Sequence, residues 1–129
     1  MDPIEFLSLE RVLELHAYQV EQFGGDPGVL NLGLLESALA QPGVSFGGSY
    51  LHEDLAAMAA AYLFHICKNY PFADGNKRTA THAAIAFLEL NGYELDVPVD
   101  EAEQLVLAVA EGKTGKEEVA AFLRRLMEE

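Results

Sequence analysis

Basic residues are scarce in this sequence: eight lysines and arginines stand against 21 acidic residues, for a formal net charge of −13 over 129 residues. The mean field of such a chain repels phosphate backbones and anionic lipid, which makes nucleic acid and membrane surfaces poor partners. Cysteine is nearly absent. Cys67 alone cannot form an internal disulfide, and a lone thiol fits a reducing compartment, so the cytoplasm is the expected location. Long apolar runs are missing too. The alanine-rich stretch from Leu55 to Cys67 falls short of the roughly 18 residues a membrane span needs, and it reads instead as a buried core helix. The amino terminus, Met1-Asp2-Pro3-Ile4-Glu5, has neither the basic region nor the apolar run of a signal peptide. No nucleophilic triad, zinc-ligand spacing, internal repeat or low-complexity linker is visible.

What is present is enough apolar material for a core: half of the residues are hydrophobic, and the length suits one domain spanning residues 1–129. From Ser8 to Phe23 the residues Leu9, Val12, Leu13, His16, Val20 and Phe23 recur at spacings of three and four, and Gly24-Gly25 stops the pattern, which predicts a first amphipathic helix. Asn31 is a good N-cap for a short helix with Leu32, Leu35 and Leu39 facing inward, ended by Pro42-Gly43. The glycine-rich stretch from Gly43 to Ser49 reads as a mobile surface loop or a flap over a site. A central helix is expected from about Glu53 to Asn69, and another from about Asn76 to a left-handed stop at Gly92. Tyr93-Glu94-Leu95 suits a short extended piece. Asp100 with Glu103, and Thr114 with Glu117, match the capping-box pattern and predict two further helices. The sum is an all-α chain of about six helices.

Between the two central helices lies Tyr70-Pro71-Phe72-Ala73-Asp74-Gly75-Asn76-Lys77-Arg78. Gly75 lets the backbone approach a ligand, and the unpaired N–H groups of the helical turn after it face an anion at the positive end of the dipole. Lys77 and Arg78 add charge and donors at the same end, Arg with a planar fork that grips two phosphate oxygens. Asp74 offers a hard oxygen to magnesium, which binds through one or two carboxylates and nucleotide phosphates. By residue type alone, Asp-Gly-Asn is equally an ordinary turn and Lys-Arg an ordinary solvated pair.

The order of these residues decides between the readings. Pro-Phe-Ala-Asp-Gly-Asn-Lys-Arg-Thr, followed by an apolar helix ending Leu-Glu-Leu-Asn-Gly-Tyr, closely resembles the Fic/Doc family. Leu15-His16, then Phe23-Gly24-Gly25 and Pro27-Gly28, are similar to the first helix and loop of its Doc toxins, so the resemblance covers nearly the whole chain. It implies a Fic/Doc helical bundle with a phosphate-binding loop between two central helices. It further implies that Phe72 anchors the loop, Asp74 holds Mg2+, and Gly75, Asn76, Lys77 and Arg78 receive the phosphates of ATP or another nucleoside triphosphate. In AMP-transferring relatives a glycine precedes the arginine and a second arginine follows three residues later; here Lys77 and Thr81 hold those places. Both departures are Doc-like. The resemblance to Doc implies transfer of the terminal phosphate to a threonine of elongation factor Tu, and restraint by a Phd-type antitoxin whose tail folds against the toxin. AMP transfer, and a non-catalytic binding module, are the alternatives.

Tyr70 stands where the family has its catalytic histidine. A general base works best with a pKa near the operating pH. A phenol's ordinary value of about 10 leaves on the order of a thousandth ionised at neutral pH, whereas imidazole is well matched. The expectation is therefore nucleotide binding with impaired transfer. Among the other candidates, His65 and Cys67 lie two apart and so on different faces of a helix, which suits core packing rather than a shared metal. His16 and His52 have no evident partner in sequence. His82 is the spare histidine placed to serve as an alternative base, and Tyr50 with its neighbouring glycines suits a flap that positions a target peptide.

Overall fold

The computed structural model describes residues 3–129 and contains, among them, six helices and one two-stranded hairpin. In chain order these are α1 (Leu9–Phe23), α2 (Leu32–Ala40), β1 (Ser45–Phe46), β2 (Ser49–Tyr50), α3 (Leu55–Asn69), α4 (Asn76–Leu90), α5 (Val99–Ala110) and α6 (Lys116–Met127). The all-α reading holds, and no helix is long and apolar enough to cross a membrane.

Helix α3 is the hub, packed against α2, α4, α5 and α6, while α1 lies on α4. The sequence of α3 explains this position. Ala56, Ala59, Ala60 and Ala61 are buried together with Met58, Tyr62, Leu63, Ile66 and Cys67, and small side chains on several faces let neighbouring helices approach from several directions. Tyr62 and Phe87 of α4 meet with ring centroids 5.1 Å apart. The Tyr62 hydroxyl accepts the Leu7 N–H at 2.9 Å, and burial pushes its pKa up to about 12. Asn91 ties the amino-terminal segment to the end of α4: its Oδ1 accepts from the Glu5 N–H at 3.0 Å and its Nδ2 donates to the Glu5 carbonyl at 2.8 Å.

The cap at Asn31 forms as expected and Ser8 caps α1, each side chain accepting an N–H of the first turn. Other local expectations are corrected. Leu32 is exposed, because α2 turns Leu35 and Ala38 to the core. The stretch after Gly43 folds into the β1–β2 hairpin, in which Gly47 and Gly48 supply the positive φ that its tight turn requires. Residues Tyr93–Leu95 form no strand. Pro98, not Asp100, stands at the N-cap of α5: its fixed φ starts the helix two residues early and puts Asp100 in the first turn. At α6 the box slips by one residue, and Glu118 rather than Glu117 accepts both the Gly115 N–H and the Thr114 hydroxyl, each at 3.2 Å.

Candidate active site

The site forms where α3 stops and α4 starts. Helix α3 ends on Tyr70, whose φ of 50° and ψ of 55° make it the left-handed C-cap; it is the sole non-glycine residue with positive φ among those described. Such a conformation costs an L-residue about 1 kcal/mol or more, so it persists only because the flanking chain is held. Much of that hold comes from the α1–α2 loop and the first turn of α2. The Pro71 carbonyl accepts the N–H groups of Leu30 (2.8 Å) and Asn31 (3.2 Å), the Ala73 N–H donates to the Gly28 carbonyl at 2.9 Å, and Asn69 Nδ2 donates to the Leu34 carbonyl at 2.9 Å. Val29 and Phe72 thereby form a single antiparallel bridge.

Phe72 is fully buried and anchors the segment, as the family pattern implies. Its ring stacks on His16 of α1, with centroids 3.7 Å apart and planes within 8°. Asn76, only 4% exposed, clamps the backbone of the same residue: Oδ1 accepts the Phe72 N–H at 3.0 Å and Nδ2 donates to the Phe72 carbonyl at 2.9 Å. The Asn76 side chain is thus committed to the loop, and what it offers an anion is its backbone N–H.

Gly75 caps α4 in the left-handed region (φ 81°), with no side-chain hydrogen bond to the helix end. The first backbone bond across this end runs from the Thr79 N–H to the Gly75 carbonyl at 2.9 Å, so the N–H groups of Asn76, Lys77 and Arg78 precede the helical ladder. Lys77 and Arg78 are exposed at this end. The Arg78 guanidinium rests 4.4 Å from the ring centroid of Phe23, the last residue of α1. Asp74 is exposed as well; its Oδ2 accepts the Asp26 N–H at 2.7 Å, and no hydrogen bond within the described chain reaches Oδ1. An oriented carboxylate with one free oxygen, beside a helix end that attracts phosphate, suits magnesium, which takes few protein ligands and completes its shell with phosphate and water.

A scan against family descriptions matches residues 6–88 to the Fic/DOC family. The chain belongs to the Fic/Doc family. It is similar to the protein named toxin Doc of Mycolicibacterium smegmatis, 39% identical over 121 residues that cover 92% of this chain and 91% of that one. It is similar also to the protein kinase doc of Escherichia phage P1, 32% identical over 121 residues covering 93% and 94% of the two chains. The family match runs from the amino-terminal segment to the far end of α4, and so takes in every residue of this Fic/Doc site.

Within it Asp74, Gly75, Asn76, Lys77 and Arg78 gather at one helix end, with Tyr70 at the preceding one, 56% exposed and with no hydrogen bond to its phenol oxygen. His82 lies on an exposed part of α4 and makes no hydrogen bond to the loop. Cys67 is in the core, where burial pushes its thiol pKa up despite Lys77 and Lys68. His65 is occupied elsewhere, with its Nε2 3.2 Å from Lys116 Nζ. Four residues of the Fic/Doc site were not singled out for it in sequence: His16, Phe23, Gly25 and Asp26. His16 and Phe23 read in sequence as positions on the apolar face of the first helix, and Gly25 as part of its stop.

Proposed function

We propose that this chain is a Doc-like toxin of a toxin–antitoxin pair, a phosphotransferase that takes ATP or another nucleoside triphosphate with Mg2+ and directs its terminal phosphate to a protein threonine. The observation that carries the reading is the start of α4, where no side chain caps the helix by a hydrogen bond, Lys77 and Arg78 are exposed beside Asp74, and three N–H groups precede the helical ladder. The names borne by the two relatives, a toxin and a protein kinase, support it. Elongation factor Tu is the proposed target and a Phd-type antitoxin the proposed partner.

In this reading the N–H groups of α4 and the side chains of Lys77 and Arg78 bind and orient the phosphates and offset their charge. Asp74, steadied by the Asp26 N–H, would hold Mg2+, which would supply Lewis-acid neutralisation of the phosphate charge. A threonine hydroxyl oxygen then bonds to the terminal phosphorus as the bond to the bridging oxygen breaks, and the hydroxyl proton must leave for a base. Tyr70 occupies the position from which that base would act, and no neighbour hydrogen-bonds its phenol. The chain is therefore proposed to bind nucleotide and to transfer poorly.

The test compares labelled-phosphate transfer to elongation factor Tu by this chain and by Tyr70→His. Robust transfer by the variant and little by the parent is expected, general-base catalysis being worth about 10²–10⁴-fold. Equal, robust transfer by both sinks the impairment. Mass spectrometry of the product reads the chemistry: one added phosphate supports the proposal, and an added AMP replaces it with nucleotidyl transfer. The Tyr70 substitution itself favours a second reading, a Fic/Doc fold retained as a non-catalytic binding module; failure of Tyr70→His to modify any protein or to arrest bacterial growth would support that one.

A further inference from the structure

His16 is 2% exposed, on the face of α1 that packs against α4, and its Nε2 lies 2.8 Å from the carbonyl oxygen of Asp74. A carbonyl only accepts, so this nitrogen carries the proton and donates. The ring cannot swing away without losing its stack on Phe72. It also borders Gly75, where an added Cβ would lie 3.5 Å from Cδ2 and 3.6 Å from Nε2. One imidazole thus contacts three residues of the phosphate segment, and its single polar bond goes to the peptide that enters the α4 N-terminus.

The orientation of that peptide matters for charge. All peptide bonds of the described residues are trans, and in a planar trans peptide the C=O and the following N–H point in opposite directions. With the Asp74 carbonyl turned inward to His16, the Gly75 N–H points outward, and no acceptor within the described chain takes it up. Rotation of the Asp74–Gly75 peptide by half a turn would carry Gly75 from its φ of 81° to a negative φ, which glycine adopts as readily. The local backbone therefore does not forbid the rotated form, in which a carbonyl oxygen would replace an N–H donor at the mouth of the site and repel an anion.

We infer that His16 is a positioning residue: it locks the Asp74–Gly75 peptide with its N–H turned outward, so that the anion cradle gains a donor ahead of the three at the start of α4. The inference rests on the phosphate-binding reading proposed above. It extends that reading from the motif to a histidine 58 residues earlier in the chain.

The experiment uses the full chain, 15N-labelled, with two variants. His16→Phe keeps a ring against Phe72 and removes the donor; His16→Gln restores a donor without the ring. Expected for His16→Phe, in the absence of nucleotide, is a Gly75 amide resonance that is doubled or broadened by exchange. Its affinity for Mg·ATP should fall about tenfold or more, the scale of one lost bond to a charged acceptor, with His16→Gln recovering part of the loss. A folded His16→Phe with one Gly75 resonance at the parent position and an unchanged Kd overturns the inference, however much its melting temperature has dropped. If the parent itself does not bind Mg·ATP, the proposed function fails, and the nucleotide-free Gly75 spectra still decide the lock. If His16→Phe does not fold, the long-range 1H–15N spectrum of the parent decides: a protonated, hydrogen-bonded Nε2 upholds the lock, and a proton on Nδ1 overturns it.

Discussion

Gly25 and Asp74 pack so closely that a methyl group on Gly25 would stand 2.9 Å from Asp74 Cβ and 3.4 Å from its Oδ2. Gly25 also has a φ of 115°, a conformation that side chains rarely adopt. Gly25→Ala is expected to strain the loop and displace the Asp74 carboxylate together, with a loss of about 1–3 kcal/mol of stability. The proposed Mg2+ ligand would be displaced with it, so Mg·ATP affinity should fall about tenfold while Mg2+-free binding changes less. Calorimetric titration with and without Mg2+ checks this, and equal losses in the two conditions would detach Gly25 from the metal.

Asn76 gives a prediction that separates folding from binding. Asn76→Ala leaves the N–H and C=O of buried Phe72 without partners, an expected cost of about 2–4 kcal/mol. Asn76→Asp should not rescue it, because a carboxylate accepts from the Phe72 N–H but cannot donate to the Phe72 carbonyl. Urea unfolding monitored by circular dichroism measures both. A loss below about 0.5 kcal/mol in either variant, the range of surface substitutions, would mean that the clamp contributes nothing.

Helix α6 is fastened to the start of α3 by a forked ion pair, Arg124 Nε donating to Asp54 Oδ2 at 2.9 Å and Nη2 to Oδ1 at 3.1 Å. The guanidinium hydrogen bonds hold the Asp54 carboxyl below its ordinary pKa, partly offset by burial. A depressed carboxylate contributes stability above its unfolded pKa of 3.8 that disappears as pH falls through the lower folded value. The pair is partly exposed, so Asp54→Ala at neutral pH should cost only about 1–2 kcal/mol, most of it for the Ala57 cap that Asp54 also supplies. The deficit should shrink on acidification below pH 3.8, and a deficit constant from pH 7 to 2 would show that charge plays no part.

A second acid-sensitive contact joins the same two helices. Burial, then the charge of Lys116 and of His52, lower the His65 pKa from 6.5 to about 4. The folded state therefore takes up this proton less readily than the unfolded one. The stability tied to neutral His65 is complete above pH 6.5 and falls as pH drops from there toward about 4. Removing the Lys116 charge by Lys116→Met should raise the His65 pKa and flatten that limb. An NMR titration of the His65 ring reads the pKa directly, and an unchanged value in the variant would leave burial and His52 as the causes.

Much of the fold was legible because it is written locally. Ser8, Asn31 and the Gly24-Gly25 stop mark their helix ends within a few residues, and the alanines of α3 announce a helix approached from several sides. The misplacements at α5 and α6 are competitions among neighbours: Pro98 starts a helix before Asp100 can cap it, and Gly115 allows Glu118 to reach back where Glu117 was expected. In the site, the Asp74 to Arg78 order could be read from the motif alone. His16 could not, because its partner is a backbone carbonyl, which any residue possesses, and helical spacing marks His16 only as inward-facing. Asn76 reads in sequence as a ligand residue, and only its burial reveals the clamp on Phe72.

The bonds joining residues 28–31 to residues 71–73 bear on any attempt to move this chemistry elsewhere. The nine-residue motif spliced alone between two helices of another scaffold would arrive without the edge that holds Pro71 and Ala73, the N–H that steadies Asp74, and the space left by Gly25. A working graft would have to carry both segments and α1 as one cassette, and a library that varies the motif while fixing residues 24–31 would sample only half of the wall it means to redesign.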